Sequence, residues 1–396
     1  MKGEQYHVDV ESAQEAHHAY HCCGDVFISH RQSEVGRVVV VLSDGLGSGA
    51  VANVLATLTA SMAMSFTLRR QAVERTAQII METLPMDRQK KLSYATFVIA
   101  DIESDGETHI IEFDNPPVLL LRKGISTPLP REVRQLETQA AGDRQMNVSH
   151  FYLNADDRLV LVSDGITQSG MGRASMPFGY GLANVSSYLE RIIARDESIS
   201  SRALSRAVVR CARTNDMLQP QDDMTCGVVH FRKPRELLLC TGPPFNENRD
   251  QRMAERVRDF KGRKIICGGT TSQIVSRLLG VPLEVQLGVD TDGLPAISRM
   301  PGIDLVTEGV ITLSRVADIL ANMSPYDDLE GQGPAWEIVR MLHASDIVHF
   351  MVGTRINISH YDPDLPIELE ARRTLVRRIV RILEEQFLKE TNVEYI

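Results

Sequence analysis

Arg37-Val38-Val39-Val40-Val41-Leu42-Ser43-Asp44-Gly45 decides the fold. An aliphatic, mostly β-branched run without polar alternation is the pattern of a strand buried on both faces. The run stops at an Asp-Gly pair. Leu46-Gly47-Ser48-Gly49 follows, then an apolar-periodic stretch from Ala50 to Thr67 that predicts a helix, and a second helical pattern from Gln71 to Thr83. Further out, Tyr94 to Ile102, Thr108 to Phe113 and Val118 to Arg122 read as an antiparallel meander, split by the turn signals Ser104-Asp105-Gly106 and Asn115-Pro116-Pro117. Arg158 to Ser163 is a second apolar strand, and it too stops at an Asp-Gly pair, Asp164-Gly165. Helical patterns cover Gly181 to Ala194 and Ser201 to Arg213, and a third strand, Met224 to Phe231, begins right after Asp222-Asp223.

Arg232-Lys233-Pro234-Arg235 is the best boundary candidate, a short basic break containing proline. Beyond it strands at Leu237–Cys240, Lys264–Cys267, Ile303–Thr307 and Asp346–Val352 alternate with helices through Arg249–Phe260, up to Leu279, Leu313–Asn322, Ala335–Leu342 and Ile367–Leu388. That alternation predicts an α/β unit. The expected division is therefore residues 1–232 and 236–396. A length of 396 residues suits two domains, and 43% hydrophobic with 24% charged residues excludes a disordered or fibrous chain.

The 43 Lys and Arg against 52 Asp and Glu give a net charge of -9, which argues against a nucleic-acid protein driven by phosphate neutralisation. Six scattered cysteines without a CxxC indicate neither a disulfide framework nor a zinc ribbon. His17, His18, His21, Cys22 and Cys23 form a soft-ligand cluster, but the spacing fits no regular metal site, and alternate residues would face opposite ways if Tyr20–Phe27 is a strand. Leu46 to Leu68 is uncharged and long enough to cross a bilayer, yet its Ser, Thr and Asn content fits a buried helix better. With no apolar leader at residues 1–16, the expectation is a cytoplasmic protein without a membrane span.

Three acidic sites share one logic: Asp44 and Asp164 end strands, and Asp222-Asp223 begins one. Charge at buried strand ends is costly unless neutralised, and hard divalent cations do that with oxygen ligands. Taken one at a time, each Asp-Gly pair reads more simply as an ordinary turn former. A second candidate is Gly268-Gly269-Thr270-Thr271, a turn between strand and helix that could hold an anion on exposed N–H groups. It lacks the P-loop lysine, and threonine capping explains it as well.

Cys23-Gly24-Asp25-Val26-Phe27, the Asp44-Gly45-Leu46-Gly47-Ser48-Gly49 segment, Asp164-Gly165-Ile166, Phe178-Gly179-Tyr180-Gly181-Leu182 and Asp222-Asp223-Met224-Thr225 occur in an order that resembles the metal-dependent serine/threonine protein phosphatases (PPM, or type 2C), specifically the SpoIIE-like bacterial branch. The resemblance spans Tyr20 to Phe231. It implies an α/β chain with a PPM-type α-β-β-α sandwich, followed by a smaller α/β domain of unrecognised type. It also implies two Mn²⁺ or Mg²⁺ ions, with Asp44 bridging them, the Gly45 carbonyl as a ligand, and Asp164 and Asp222 completing the catalytic set. Asp25 and Asp223 would support them.

The implied activity is hydrolysis of phosphoserine or phosphothreonine on a bacterial regulatory protein, such as an anti-sigma-factor antagonist, by a hydroxide bridging the ions. A homodimer stays an open alternative. The rival reading is a ligand-sensing switch in which the carboxyl-terminal α/β domain controls the first. The chain departs from eukaryotic relatives in having Leu46 where they have a histidine after Asp-Gly, and it has no confident match to their phosphate-clamping arginine.

Overall fold

The computed structural model describes residues 6–32, 35–71, 79–80, 86–87, 92–93, 95–136, 144–285, 297–323, 329–355, 367–387 and 389–396. They form two compact units, Met1–Lys233 and Pro234–Ile396.

The first unit opens with β1 (His7–Glu15), β2 (Val26–Gln32), β3 (Arg37–Gly45) and α1 (Ala50–Leu68). Two short strands, β4 (Met86–Asp87) and β5 (Leu92–Ser93), pair only with each other. Then come β6 (Ala95–Ile102), β7 (Glu107–Phe113), β8 (Leu119–Arg122), β9 (Ile125–Thr127), β10 (Arg131–Leu136), β11 (Arg144–Tyr152) and β12 (Asp157–Val162). The one-turn helix α2 (Asp164–Thr167) leads to α3 (Leu182–Arg195), α4 (Ser201–Asn215) and the closing strand β13 (Met224–Arg232).

These strands make two antiparallel sheets, ordered β1-β13-β12-β8-β9 and β10-β11-β7-β6-β3-β2. Each is apolar on both faces where it matters. Val38, Val40 and Leu42 of β3 meet Leu159, Leu161, Val229 and Phe231 of the other sheet. The alternate residues Val39 and Val41 pack outward against Ala60, Ala63 and Met64 of α1. On the opposite side, Val160, Val162, Cys226 and Val228 receive Leu189 of α3 and Leu204 and Val208 of α4. The unbroken aliphatic run of β3 thus has its reason: both of its faces are removed from water, at roughly 1.5–3 kcal/mol per buried side chain. The layers are helix, sheet, sheet, helix, the α-β-β-α sandwich.

Among the described residues, α1 is the one helix long and apolar enough to cross a membrane. Here its small residues Ala52, Ala56, Ala60 and Ala63 lie flat on the sheet, while Val51, Val54 and Leu58 face outward.

Three sequence expectations change. The strand considered for Tyr20–Phe27 begins only at Val26, because the segment before it is loop. The turn written at Gly268–Thr271 is a single residue, Gly268, with a φ of 124°; helix begins at Gly269. Strands β1, β4, β5, β9, β10 and β11, and Glu390–Tyr395 in the second unit, were not expected. Of the helix expected at Gln71–Thr83, all but Gln71, Ile79 and Ile80 lie outside the described residues, as does Leu388 of the terminal helix.

The second unit contains β14 (Glu236–Thr241), α5 (Asp250–Asp259), β15 (Arg263–Cys267), α6 (Gly269–Leu279), β16 (Leu305–Thr307), α7 (Val310–Asn322), α8 (Pro334–His343), β17 (Ile347–Val352), α9 (Ile367–Glu385) and β18 (Glu390–Tyr395). The sheet is parallel throughout, in the order β16-β15-β14-β17-β18. Helices α5 and α6 cover one face, α7, α8 and α9 the other. This is a doubly wound α/β sheet whose strand order reverses between β14 and β17.

Candidate metal centre

The strand register brings five aspartates to one end of the sandwich. Asp44 is the penultimate residue of β3, and Val26 pairs with Ser43, so Asp25 enters beside it. On the other sheet Val162 pairs with Cys226, which sets Asp164 next to Asp222 and Asp223. Thr225 links the two sheets: its hydroxyl donates to Asp25 Oδ2 at 2.7 Å, while Gln14 Nε2 donates to the Thr225 hydroxyl at 3.0 Å.

Two glycines permit the close approach. A Cβ on Gly45 would fall 2.3 Å from the Ala52 carbonyl oxygen, so glycine is what allows α1 to press on the end of β3. A Cβ on Gly165 would fall 2.1 Å from the Asp223 carbonyl oxygen, so the Asp164 turn lies directly on the Asp222-Asp223 backbone.

Each carboxylate has a few donors and a charge problem. Gln168 Nε2 donates to Asp164 Oδ2 at 2.8 Å, the Asp223 N–H to Asp222 Oδ1 at 2.9 Å, and the His17 N–H to Asp223 Oδ1 at 3.0 Å. Ser48 Oγ donates weakly to Asp222 Oδ1 at 3.4 Å. Asp25 Oδ1 and Asp223 Oδ2 are buried and accept no hydrogen bond. Burial, and then the charge of Asp25, Asp164 and Asp222, hold the Asp44 carboxyl well above the usual range. Burial is also the leading cause for Asp25, pushed up to about 7 against the hydrogen bonds from Thr225 and Ser163, and for Asp222, raised further by Asp164. No basic side chain is among the groups that principally shift these three.

An all-oxygen donor set with two orphaned acceptors and excess negative charge fits hard divalent cations, which Asp44, Asp164 and Asp222 could hold with Asp25 and Asp223 beside them. Sequence reasoning missed Gln14, Gln168 and Ser163. Gln168 alone had a signal, its place four residues after Asp164. The anion candidate lies in the second unit: Gly268 caps α6, Gly269 to Thr271 form its first turn, and the Thr271 hydroxyl is buried without a partner.

A pH dependence follows for the metal-free chain. Asp25 in the folded state keeps its proton up to about pH 7, whereas in the unfolded chain it loses it near 3.9. Between those values the folded state binds more protons, so stability falls as pH rises across the window. The expected result is a melting temperature, measured in chelator, that drops from about pH 5 to about pH 8. Asp25→Asn should shrink that drop, and an equal drop in the variant would assign it elsewhere.

Residues 34–232 match the family Stage II sporulation protein E (SpoIIE), half of the chain, including Asp44, Asp164, Asp222 and Asp223 but not Asp25. No curated protein matches. Among solved structures, the phosphatase domain of the cell fate determinant SpoIIE from Bacillus subtilis is 16% identical, with 58% of this chain and 94% of that chain covered and a TM-score of 0.43. The RsbU and RsbW domains of Rv1364c from Mycobacterium tuberculosis are 18% identical, with coverages of 65% and 68% and a TM-score of 0.44. RsbX in complex with magnesium is 15% identical, with coverages of 58% and 98% and a TM-score of 0.40. By the extent of the family match, the chain belongs to the SpoIIE family of PP2C-type serine/threonine phosphatases, hydrolases that as a class depend on Mg²⁺ or Mn²⁺.

Proposed function

We propose that the first unit hydrolyses phosphoserine or phosphothreonine on a regulatory protein, such as an anti-sigma-factor antagonist, using two Mn²⁺ or Mg²⁺ ions held by Asp44, Asp164 and Asp222, with the Gly45 carbonyl as a further ligand. The observation that carries this reading is the convergence of five aspartates, two of them with orphaned oxygens, at one end of the sandwich. Bound there, divalent ions supply Lewis acidity toward the phosphoryl oxygens and an activated water. The chain's own residues do the rest. Asp25, held by Thr225, and Asp223, held by the His17 N–H, keep fixed acceptors facing the cluster, where they can orient water. Gln168 donates to one oxygen of the Asp164 carboxylate and so helps to orient it. Leu46 supplies no proton, so protonation of the leaving serine oxygen falls to water.

The test is phosphate release from a phosphoserine peptide by the full chain. Release in Mn²⁺ that stops in chelator and returns with fresh Mn²⁺ is the expected result. No release under any divalent ion would overturn the reading.

A further inference from the structure

The sandwich carries a second group of metal-ligating side chains on the outer face of the β10-β11-β7-β6-β3-β2 sheet. Glu107 and His109 are two apart on β7 and so share a face, the face that Ile111 and Phe113 present to the α1 side. On β11, His150 sits directly opposite His109, and Glu107 opposes Tyr152. Three donors therefore occupy three corners of one cross-strand square.

Their geometry is tight. His150 Nε2 lies 2.9 Å from Glu107 Oε1, and His109 Nε2 lies 3.9 Å from the same oxygen. The two imidazoles stack with centroids 4.2 Å apart and planes 4° from parallel, so one exposed ring turns out of the stack when both nitrogens face a single ion. One ligand atom from each residue lies within 4.8 Å of the other two. The side chains are 42%, 51% and 34% exposed for His109, His150 and Glu107, which leaves the group open to an entering ion.

We propose that Glu107, His109 and His150 form a binding site for a borderline divalent transition-metal ion, Zn²⁺ above all, with water in the remaining position. Two imidazole nitrogens and one carboxylate oxygen are the donor set that Zn²⁺ takes in three-ligand sites, and imidazole favours Zn²⁺ over the hard ions suited to carboxylate clusters. Binding requires both imidazoles neutral at the ligating nitrogen. A proton held between His150 Nε2 and Glu107 Oε1 must leave that contact, to Nδ1 by tautomer exchange or to solvent, as the ion enters.

The site is distinct from the aspartate cluster. Asp44 pairs with Thr96 on β6, whereas His109 pairs with Asp101 on the same strand. Five residues of extended strand separate those rows by about 17 Å. An ion at the histidines clamps β7 to β11 and does not touch the phosphatase centre.

The experiment loads the metal-stripped full chain with Zn²⁺, dialyses it to equilibrium and counts bound zinc, alongside a His109→Ala/His150→Ala variant. The expected result is one zinc equivalent fewer in the variant, with its Mn²⁺-dependent phosphate release unchanged. Cu²⁺ in place of Zn²⁺ should give an electron paramagnetic resonance spectrum with coupling to two imidazole nitrogens, lost in the variant. Glu107→Gln should weaken zinc binding at least about tenfold while keeping the nitrogen coupling. Equal zinc counts in the chain and the double variant, or an unchanged copper spectrum, would overturn the proposal.

Discussion

Asp44→Asn should lower Mn²⁺-dependent phosphate release by at least about 10³-fold, the scale on which losing one preorganised electrostatic partner of a transition state is felt. The same change should leave the fold intact and raise the melting temperature of the metal-free chain. The reason lies in the mutual repulsion at the sandwich end. Asp44 is buried against the charges of Asp25, Asp164 and Asp222, so its own ionisation is disfavoured. A neutral amide of the same shape removes that repulsion and the negative charge that would hold the ions together. Stability and activity therefore move in opposite directions, a signature that a mere structural aspartate would not produce. Titration calorimetry with Mn²⁺ completes the test, since the heat of binding should shrink along with turnover. Unchanged turnover would remove Asp44 from the catalytic set.

Asp101→Ala should destabilise the first unit by about 3–5 kcal/mol, the range for removing one partner of a buried ion pair. Arg37, only 1% exposed, donates from Nε and Nη2 to the two oxygens of Asp101, each at 2.7 Å, and its Nη2 also donates to the Thr67 carbonyl at 2.8 Å. This one guanidinium ties the start of β3 to β6 and to the end of α1. Without Asp101 the charge keeps two carbonyl contacts, the Gln32 Oε1 at 3.5 Å and Glu103 at 3.6 Å, which do not replace a bidentate carboxylate. Asp101 is 20% exposed, so the lower half of the range is expected. Urea unfolding reads the loss directly. The Arg37→Met/Asp101→Leu pair should recover most of it, because the cost is that of an orphaned charge. A loss below about 1 kcal/mol would mean the pair behaves as a surface bridge.

The sequence was legible where burial was two-sided or where a special residue marked a stop. The aliphatic runs behind Asp44 and Asp164 announced β3 and β12, and the acidic pair before Met224 announced β13, because strands buried on both faces admit almost no polar residues. Outer strands resist such reading. In β18, Glu390-Thr391-Asn392-Val393-Glu394-Tyr395 offers one aliphatic residue, since most of that edge strand faces water. Strand β1 mixes two valines with Asp, Glu, Ser and Gln, and only its pairing with β13, more than two hundred residues on, makes it a strand. The aspartates themselves were found as motifs. What no local pattern contains is the long-range hydrogen bonding that aims them, from Gln14, Thr225 and the His17 N–H, because those partners meet only when the sheets close.

That closing pair has a consequence for how the phosphatase unit can travel between proteins. His7 faces Arg232 across the β1-β13 ladder, so the unit's first and last strands run side by side in opposite directions and its two ends emerge as neighbours. A module with adjoining ends can be set into a loop of another protein, or have its ends joined and be reopened elsewhere, without parting either sheet. The tip between β8 and β9, at Lys123-Gly124, is a natural place to reopen it, being a tight turn in left-handed backbone at the sheet's far edge.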